Sequence, residues 1–342
     1  MSAVRWGIVM TAKEPQALLL ANIGWHLGTG AGEIQVYLDD PDDAAASVLE
    51  ALPKVSVRRC GDAHWHQTAP SGKRPLTHRR RQALNANHAL ARTEMDWLIH
   101  MDADEFLVQS RPLEEELAVV KELDCELFFP VAERVFERDA PVNSIFSGAF
   151  RTSTKGLNRR GDGIDNHAVI FGNEAPLLVH GMLSHAAGKC AVPSGQDYRI
   201  GIHWAFRGKG RDRAERYQST STRLLHFDGL TRLHWLNKLL GYAEYDPRKM
   251  GIAPHRKAQM QAFLEVRDSP EGIVAFHRDL RELDARRLAR LRAFGLLIQE
   301  PFDPVPVLRD VLPQMPDFRP ETFDAALWAR YPERLAVLRG VL

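Results

Sequence analysis

The sequence predicts an α/β protein with a mostly parallel central sheet flanked by helices. Three observations predict it. Short apolar runs of strand length alternate with helix-period patterns through the first 120 residues. Four such strand units separated by helices imply βαβ crossovers and a mostly parallel sheet covered on both faces. The 342 residues are 44% hydrophobic and 26% charged, which suits a large buried core in one domain, or one domain carrying an extension.

The elements follow in order. Residues 4–10 read as a buried strand, and Pro15 then suits a first helical turn. Leu19, Ile23 and Leu27 recur at four-residue spacing, and Gly28, Gly30 and Gly32 stop that helix rather than forming a dinucleotide fingerprint, which would follow the first strand. Residues 33–38 form the second strand. Asp39-Asp40-Pro41-Asp42-Asp43 turns the chain into an alanine-rich helix over 44–52, and 55–59 is a third strand. A polar stretch, 62–78, reads as an exposed loop in which His64 and His66 flank Trp65. A helix over 80–91 carries Ala83, Ala86 and Leu90 on one face, and 97–101 is the fourth strand. Beyond Pro112 the pattern predicts a helix over 113–120, a strand over 125–131 and an amphipathic segment over 230–240. A late helix over 280–297 carries Arg281, Arg286, Arg287, Arg290 and Arg292. Residues 143–226, rich in glycine, histidine and arginine, read as loops and short strands over a site.

Composition narrows the function. A formal net charge of +1 argues against a dedicated nucleic-acid binder. The three cysteines, Cys60, Cys125 and Cys190, lie far apart and form neither a disulfide framework nor a zinc ribbon. No apolar run reaches the roughly 18 residues of a membrane span, and no signal-peptide pattern opens the sequence. The expectation is a cytoplasmic enzyme, with peripheral membrane contact left open by the basic late helix.

The chemistry concentrates in Asp102-Ala103-Asp104-Glu105, directly after the apolar strand Trp97-Leu98-Ile99-His100-Met101. Parallel sheets seat ligands beyond the carboxyl ends of their strands. Three carboxylates within four residues repel one another unless a cation or basic side chains compensate them. Hard oxygen ligands suit Mg²⁺ or Mn²⁺, and such an ion neutralises a diphosphate as a bond to it breaks. A solvated acidic turn is the alternative, against which stand the fully apolar strand before it and the apolar Phe106-Leu107 exit.

The turn Met101-Asp102-Ala103-Asp104-Glu105-Phe106-Leu107, with Asp96-Trp97 before it, resembles the signature of family 2-like glycosyltransferases of the GT-A nucleotide-diphospho-sugar transferase fold. Arg81-Gln82-Ala83-Leu84-Asn85-Ala86-Asn87-His88-Ala89-Leu90 is similar to the helix preceding that motif. Thr11-Ala12-Lys13-Glu14 is similar to the first-strand exit, although Lys13 stands where Asn is usual. Val36-Tyr37-Leu38-Asp39-Asp40 resembles the second-strand exit that seats the nucleoside.

The resemblance implies a GT-A-like catalytic domain over 1–245, with a nucleotide-sugar half at 1–120 and an acceptor and metal half at 121–245. Residues 246–342 would be a mainly helical C-terminal extension. It further implies that Asp104 binds Mn²⁺ or Mg²⁺, that Asp102 assists at the ribose or the metal, and that Thr11, Glu14, Asp39, Asp40 and Arg81 contact the nucleotide sugar. His226-Phe227-Asp228 looks like the family's late histidine segment and makes His226 a further metal ligand or diphosphate contact.

Beside this stand weaker candidates. Asp165, in a glycine-rich stretch with His167, would deliver a carboxylate to an acceptor hydroxyl, or simply form a turn. Lys73, Arg74, Arg79, Arg80 and Arg81 form a basic cluster, either a solvated face or a diphosphate contact through Arg81. Arg207, Lys209, Arg211, Arg213 and Arg216 form a second, either a lid over phosphate or solvent-facing charge. The leading expectation is sugar transfer from a nucleoside diphosphate donor to a carbohydrate, lipid-linked or protein acceptor. Metal-dependent nucleotidyl or phosphoryl transfer, and a non-catalytic carbohydrate-binding or scaffold role, are the alternatives.

Overall fold

The structure, a computed structural model, describes residues 4–157, 166–210, 212–244, 252–340 and 342. The chain divides into two units. The first comprises Met1–Pro130, Ala187–Leu224 and Pro304–Pro316, and the second Val131–Ala186, Leu225–Asp303 and Asp317–Leu342.

The first unit is an α/β layer arrangement around a mostly parallel sheet of seven strands. Strands β1 (Trp6–Ala12), β2 (Glu33–Leu38), β3 (Val55–Arg59) and β4 (Trp97–His100) lie in the order β4-β1-β2-β3, all parallel. Every residue of β1 and β4 is buried, as expected of strands with helices on both faces. The strand Lys189–Pro193 runs antiparallel between β4 and Glu126–Phe129, and Arg216–Gln218 closes that edge parallel to the latter. Gly188 permits this insertion: a Cβ there would stand 1.8 Å from the Phe129 carbonyl oxygen.

Helix α1 (Gln16–Gly28) starts where Pro15 accepts the amides of Leu18 and Leu19, and it buries Leu19 and Ile23 on the sheet. Gly24 and Gly28 face the helix Val305–Val311, where added Cβ atoms would meet Leu308 at 2.5 Å and Val307 at 2.3 Å. The glycines thus serve close helix packing as well as the stop, which Gly30 completes at φ 112°. Helices α2 (Ala46–Glu50), α3 (Asp62–Thr68) and α4 (His78–Leu90) complete the crossovers.

Helix α3 corrects the reading of 62–78 as an exposed loop. His64 is buried and pairs its Nε2 with Asn85 Oδ1 at 2.8 Å, so a polar-looking segment is a helix fastened from inside.

In the second unit the strand Val131–Glu137 pairs antiparallel with Ala149–Thr152, which pairs with Leu297–Ile298. The strand expected over 125–131 is therefore two strands, parted at Pro130, which has no amide to donate to a ladder. The expected helix over 280–297 is also divided. Glu282–Leu283 pairs parallel with Val131–Glu137, and the Asp284 side chain caps Ala285–Ala293 by accepting the Arg287 amide at 2.8 Å. Phe146 meets Phe227, Phe302 and Phe318 edge-on in this unit's core.

Candidate active site

Three strand exits converge on one edge of the first unit's sheet, because β4, β1 and β2 are parallel neighbours. β1 ends at Thr11 and Ala12, β2 leads into Asp39, and β4 leads through Met101 into the acidic turn.

At the β2 exit Asp39 is buried and held on its backbone by a hydrogen bond from its amide to the Ala12 carbonyl, 2.9 Å. Arg81 grips both of its carboxylate oxygens, Nε to Oδ1 at 2.7 Å and an Nη to Oδ2 at 2.9 Å. The other Nη of Arg81 donates to the carbonyls of Pro75 and Leu76 at 3.0 and 2.9 Å. Arg74, largely exposed, adds a contact at 2.8 Å. Burial would raise the Asp39 pKa, but the Arg81 and Arg74 charges and hydrogen bonds hold it below the usual carboxylate value. Arg81, expected at a diphosphate, thus has its guanidinium bonded to Asp39 and to backbone. Asp40 lies in the following turn, half exposed, with Lys13 at 3.5 Å. Thr11 Oγ1 accepts from Asn85 Nδ2 at 3.0 Å, and Glu14 lies partly buried just past β1.

The acidic turn is closed reciprocally: the Asp102 amide donates to Glu105 Oε2 at 2.8 Å, and the Glu105 amide to the Asp102 carbonyl at 3.1 Å. Helix α1 holds it from outside. Asn22 Nδ2 donates to the carbonyls of Ala103 and Glu105 at 3.1 and 2.6 Å. His26 Nε2 accepts the Leu107 amide at 3.1 Å, so Nδ1 carries the proton and donates to the Asn22 carbonyl at 2.8 Å. Burial pushes the His26 pKa down to about 3, which keeps the imidazole neutral for that role.

Lys189 lies beneath the turn, completely buried, with Nζ 2.7 Å from Asp102 Oδ2 and 3.1 Å from Glu105 Oε2. Asp102 Oδ1 also accepts from the Gln82 amide. Burial would raise the Asp102 pKa, but Lys189 and the neighbouring His100 hold it well below the carboxylate range. Burial alone would lower the Lys189 pKa, and the two carboxylates raise it instead. Asp104 is buried in the same turn. The donor set fits Mn²⁺ or Mg²⁺ in kind, all hard carboxylate oxygens, although two of the three carboxylates contact an ammonium.

Sequence reasoning missed Lys189, Asn22 and His26. Asn22 and His26, four apart on one helix face, are the only local signal. Lys189 is brought in from 84 residues beyond Glu105 by strand pairing and has none.

His226 belongs to the second unit. It is buried, stacks on His185 with ring centroids 5.0 Å apart, and places Nδ1 3.0 Å from Ser184 Oγ. Ser184 Oγ donates to Glu133 at 2.7 Å, so it accepts from the His226 N–H. Asp228 follows, with Lys238 and Arg256 each at 3.4 Å. Asp165 lies outside the described residues, as does Arg211. In the second basic segment, Arg207 and Arg216 pair with Asp124 and Glu126, and Arg213 stacks on Trp204 at 4.1 Å.

No protein-family model matches the sequence, and no curated protein matches it. Among solved structures, S. aureus TarS 1-349 aligns over 99% of this chain and 90% of its own, at 12% identity and a TM-score of 0.32. The same protein in complex with UDP-GlcNAc aligns over the same shares at 13% identity and 0.30. CMP:2-keto-3-deoxy-manno-octonic acid synthetase complexed with CTP aligns over 37% of this chain and about half (53%) of its own, at 15% identity and 0.26. Likeness at this level leaves the function to be argued from the site.

Proposed function

We propose that the protein transfers a sugar from a nucleoside diphosphate donor to an acceptor hydroxyl, with Mn²⁺ or Mg²⁺ at the acidic turn. The observation that carries the reading is the placement of the Asp102–Glu105 turn and of Asp39 at exits of strands flanking β1 in one parallel sheet. That edge is where open α/β sheets seat nucleotides. In this reading Asp39 and Asp40, with Thr11 and Glu14, face the nucleoside, and Arg81 acts by fixing Asp39. Asp104 takes the metal, which supplies charge to the leaving diphosphate. Asp102 and His226 keep their proposed roles on the sequence resemblance alone, and Asp165 its proposed role on its place in a glycine-rich stretch. Residues 1–120 would serve the donor and 121–245 the acceptor, with 246–342 an extension.

Nucleotidyl transfer to a sugar is the second reading, since the same turn serves it. A nucleotidyltransferase would favour a glycine- and base-rich phosphate loop after the first strand, and Thr11-Ala12-Lys13-Glu14-Pro15 has no such composition. A panel of nucleotide sugars with Mn²⁺ or Mg²⁺, read by released nucleoside diphosphate and repeated with candidate acceptors, decides. Release of pyrophosphate from nucleoside triphosphates instead would reverse the two readings.

A further inference from the structure

We propose that His78 binds the diphosphate of the nucleotide, the contact expected of Arg81. The inference rests on the reading of the sheet edge as a nucleotide seat. One face of helix α4 carries it. Residues 78, 81, 82 and 85 follow at i, i+3, i+4 and i+7 and share that face. Three of the four are committed, each to a different strand exit. Asn85 donates to Thr11 at the end of β1, 3.0 Å, Gln82 to Asp102 past β4, and Arg81 to Asp39 past β2. His78 is the fourth, and neither of its ring nitrogens is hydrogen-bonded among the described residues.

The helix runs back along the sheet, with Ala86 and Ala89 in one core cluster with Val9 and Leu98. From Asn85, level with the end of β1, the seven residues back to His78 advance about 10 Å, beyond the strand ends. His78 is exposed there, yet lost hydration lowers its pKa, while Asp102 and Asp39 raise it, Arg81 lowers it and Glu14 raises it. An exposed side chain so surrounded lines a recess. Below it, His100 ends β4 on the side of the sheet that Leu98 turns to α4, buried and with neither ring nitrogen bonded. The exits of β2 and β4 flank β1, two strand spacings or about 10 Å apart. A nucleoside at Asp39 and a metal at the acidic turn leave the diphosphate to cross that gap. His78 acts on the carboxylates at both ends of it, and its ring N–H is a donor for a phosphate oxygen.

The test is isothermal titration of the full chain at saturating Mn²⁺ with UDP, GDP, CDP, ADP and dTDP. The parent nucleoside of the tightest of the five is titrated in parallel. His78→Ala is expected to weaken the diphosphate about 10–100-fold, as loss of a hydrogen bond to a charged group does. Affinity for the nucleoside, and for Mn²⁺ without nucleotide, should stay within about twofold of wild type. Unchanged diphosphate affinity in His78→Ala overturns the proposal. An equal loss for the nucleoside also overturns it, since His78 would then serve the base, the ribose or the fold. A matching loss of Mn²⁺ affinity does the same, because His78 would act through the ion. If the wild type binds none of the five diphosphates, the nucleotide reading itself fails, and this proposal with it.

Discussion

Arg81 grips both carboxylate oxygens of Asp39, at 2.7 and 2.9 Å, with both residues buried. The pair ties the exit of β2 to the first turn of α4, two elements separated by about forty residues, and makes a charged Asp39 tolerable away from water.

Removing Arg81 leaves that carboxylate uncompensated. Arg81→Ala is expected to destabilise the fold by about 3–5 kcal/mol, the usual consequence of breaking a buried pair. Arg74→Ala, which removes a largely exposed partner of the same carboxylate, should cost less than about 1 kcal/mol. Urea unfolding of the two variants checks the ordering. Equal losses would mean that Asp39 is better solvated than its burial indicates.

Asn22 offers a cleaner way to disturb the acidic turn, since it contacts only backbone there. Asn22→Leu leaves the carbonyls of Ala103 and Glu105 without their donor inside the protein. The expected cost is about 1–3 kcal/mol, together with weakened nucleotide binding that added Mn²⁺ does not restore. A stability loss with unchanged nucleotide affinity would confine Asn22 to the fold.

How far the sequence carried these features depends on where each partner lies along the chain. The strands Glu33–Leu38 and Val55–Arg59 were legible residue for residue, and the acidic turn was placed correctly at the exit of β4. Local apolar period and turn chemistry determine those elements. The helix Asp62–Thr68 was not legible, because its buried face is made by His64 bonding Asn85 in another helix. The expected strand over 125–131 ran past Pro130, where the chain leaves one ladder for another, because the charged residues Glu133, Arg134 and Glu137 hide the strand that follows. Arg81 was recognised as important, but its commitment to Asp39 is a long-range contact that no local pattern announces.

The neutral state of His26 gives stability a distinct pH dependence. Burial places its folded pKa at about 3, against about 6.5 in an unfolded chain. The unfolded state therefore takes up a proton below about pH 6.5 while the folded state does not. Its contribution is fully present above that pH and is lost as pH falls toward the folded value, by about 1.4 kcal/mol per pH unit. His26→Gln should reduce the stability difference between pH 7.5 and 5.5 by about 1 kcal/mol in urea unfolding. An unaltered difference would show that His26 titrates in the native protein as it does in the unfolded chain.

The final prediction concerns Asp104, on which the proposed metal dependence turns. Asp104 sits buried in the acidic turn, two residues after Asp102 and directly before Glu105. Replacing one carboxylate oxygen with an amide removes a charge and weakens a hard-cation ligand with almost no change in volume. Asp104→Asn is therefore expected to retain its unfolding midpoint while losing the Mn²⁺-induced gain in nucleotide-sugar affinity. The loss should reach at least the ~10–100-fold that follows when a mere outer-shell partner of a metal is removed. Affinity measured without metal should change far less, because the nucleoside contacts proposed for Asp39 and Asp40 lie at a different strand exit. The two measurements separate the explanations. If affinity falls equally with and without Mn²⁺, Asp104 supports the shape of the pocket and not an ion. If the Mn²⁺ enhancement survives intact in a folded variant, the metal is held elsewhere, and the assignment of Asp104 is withdrawn.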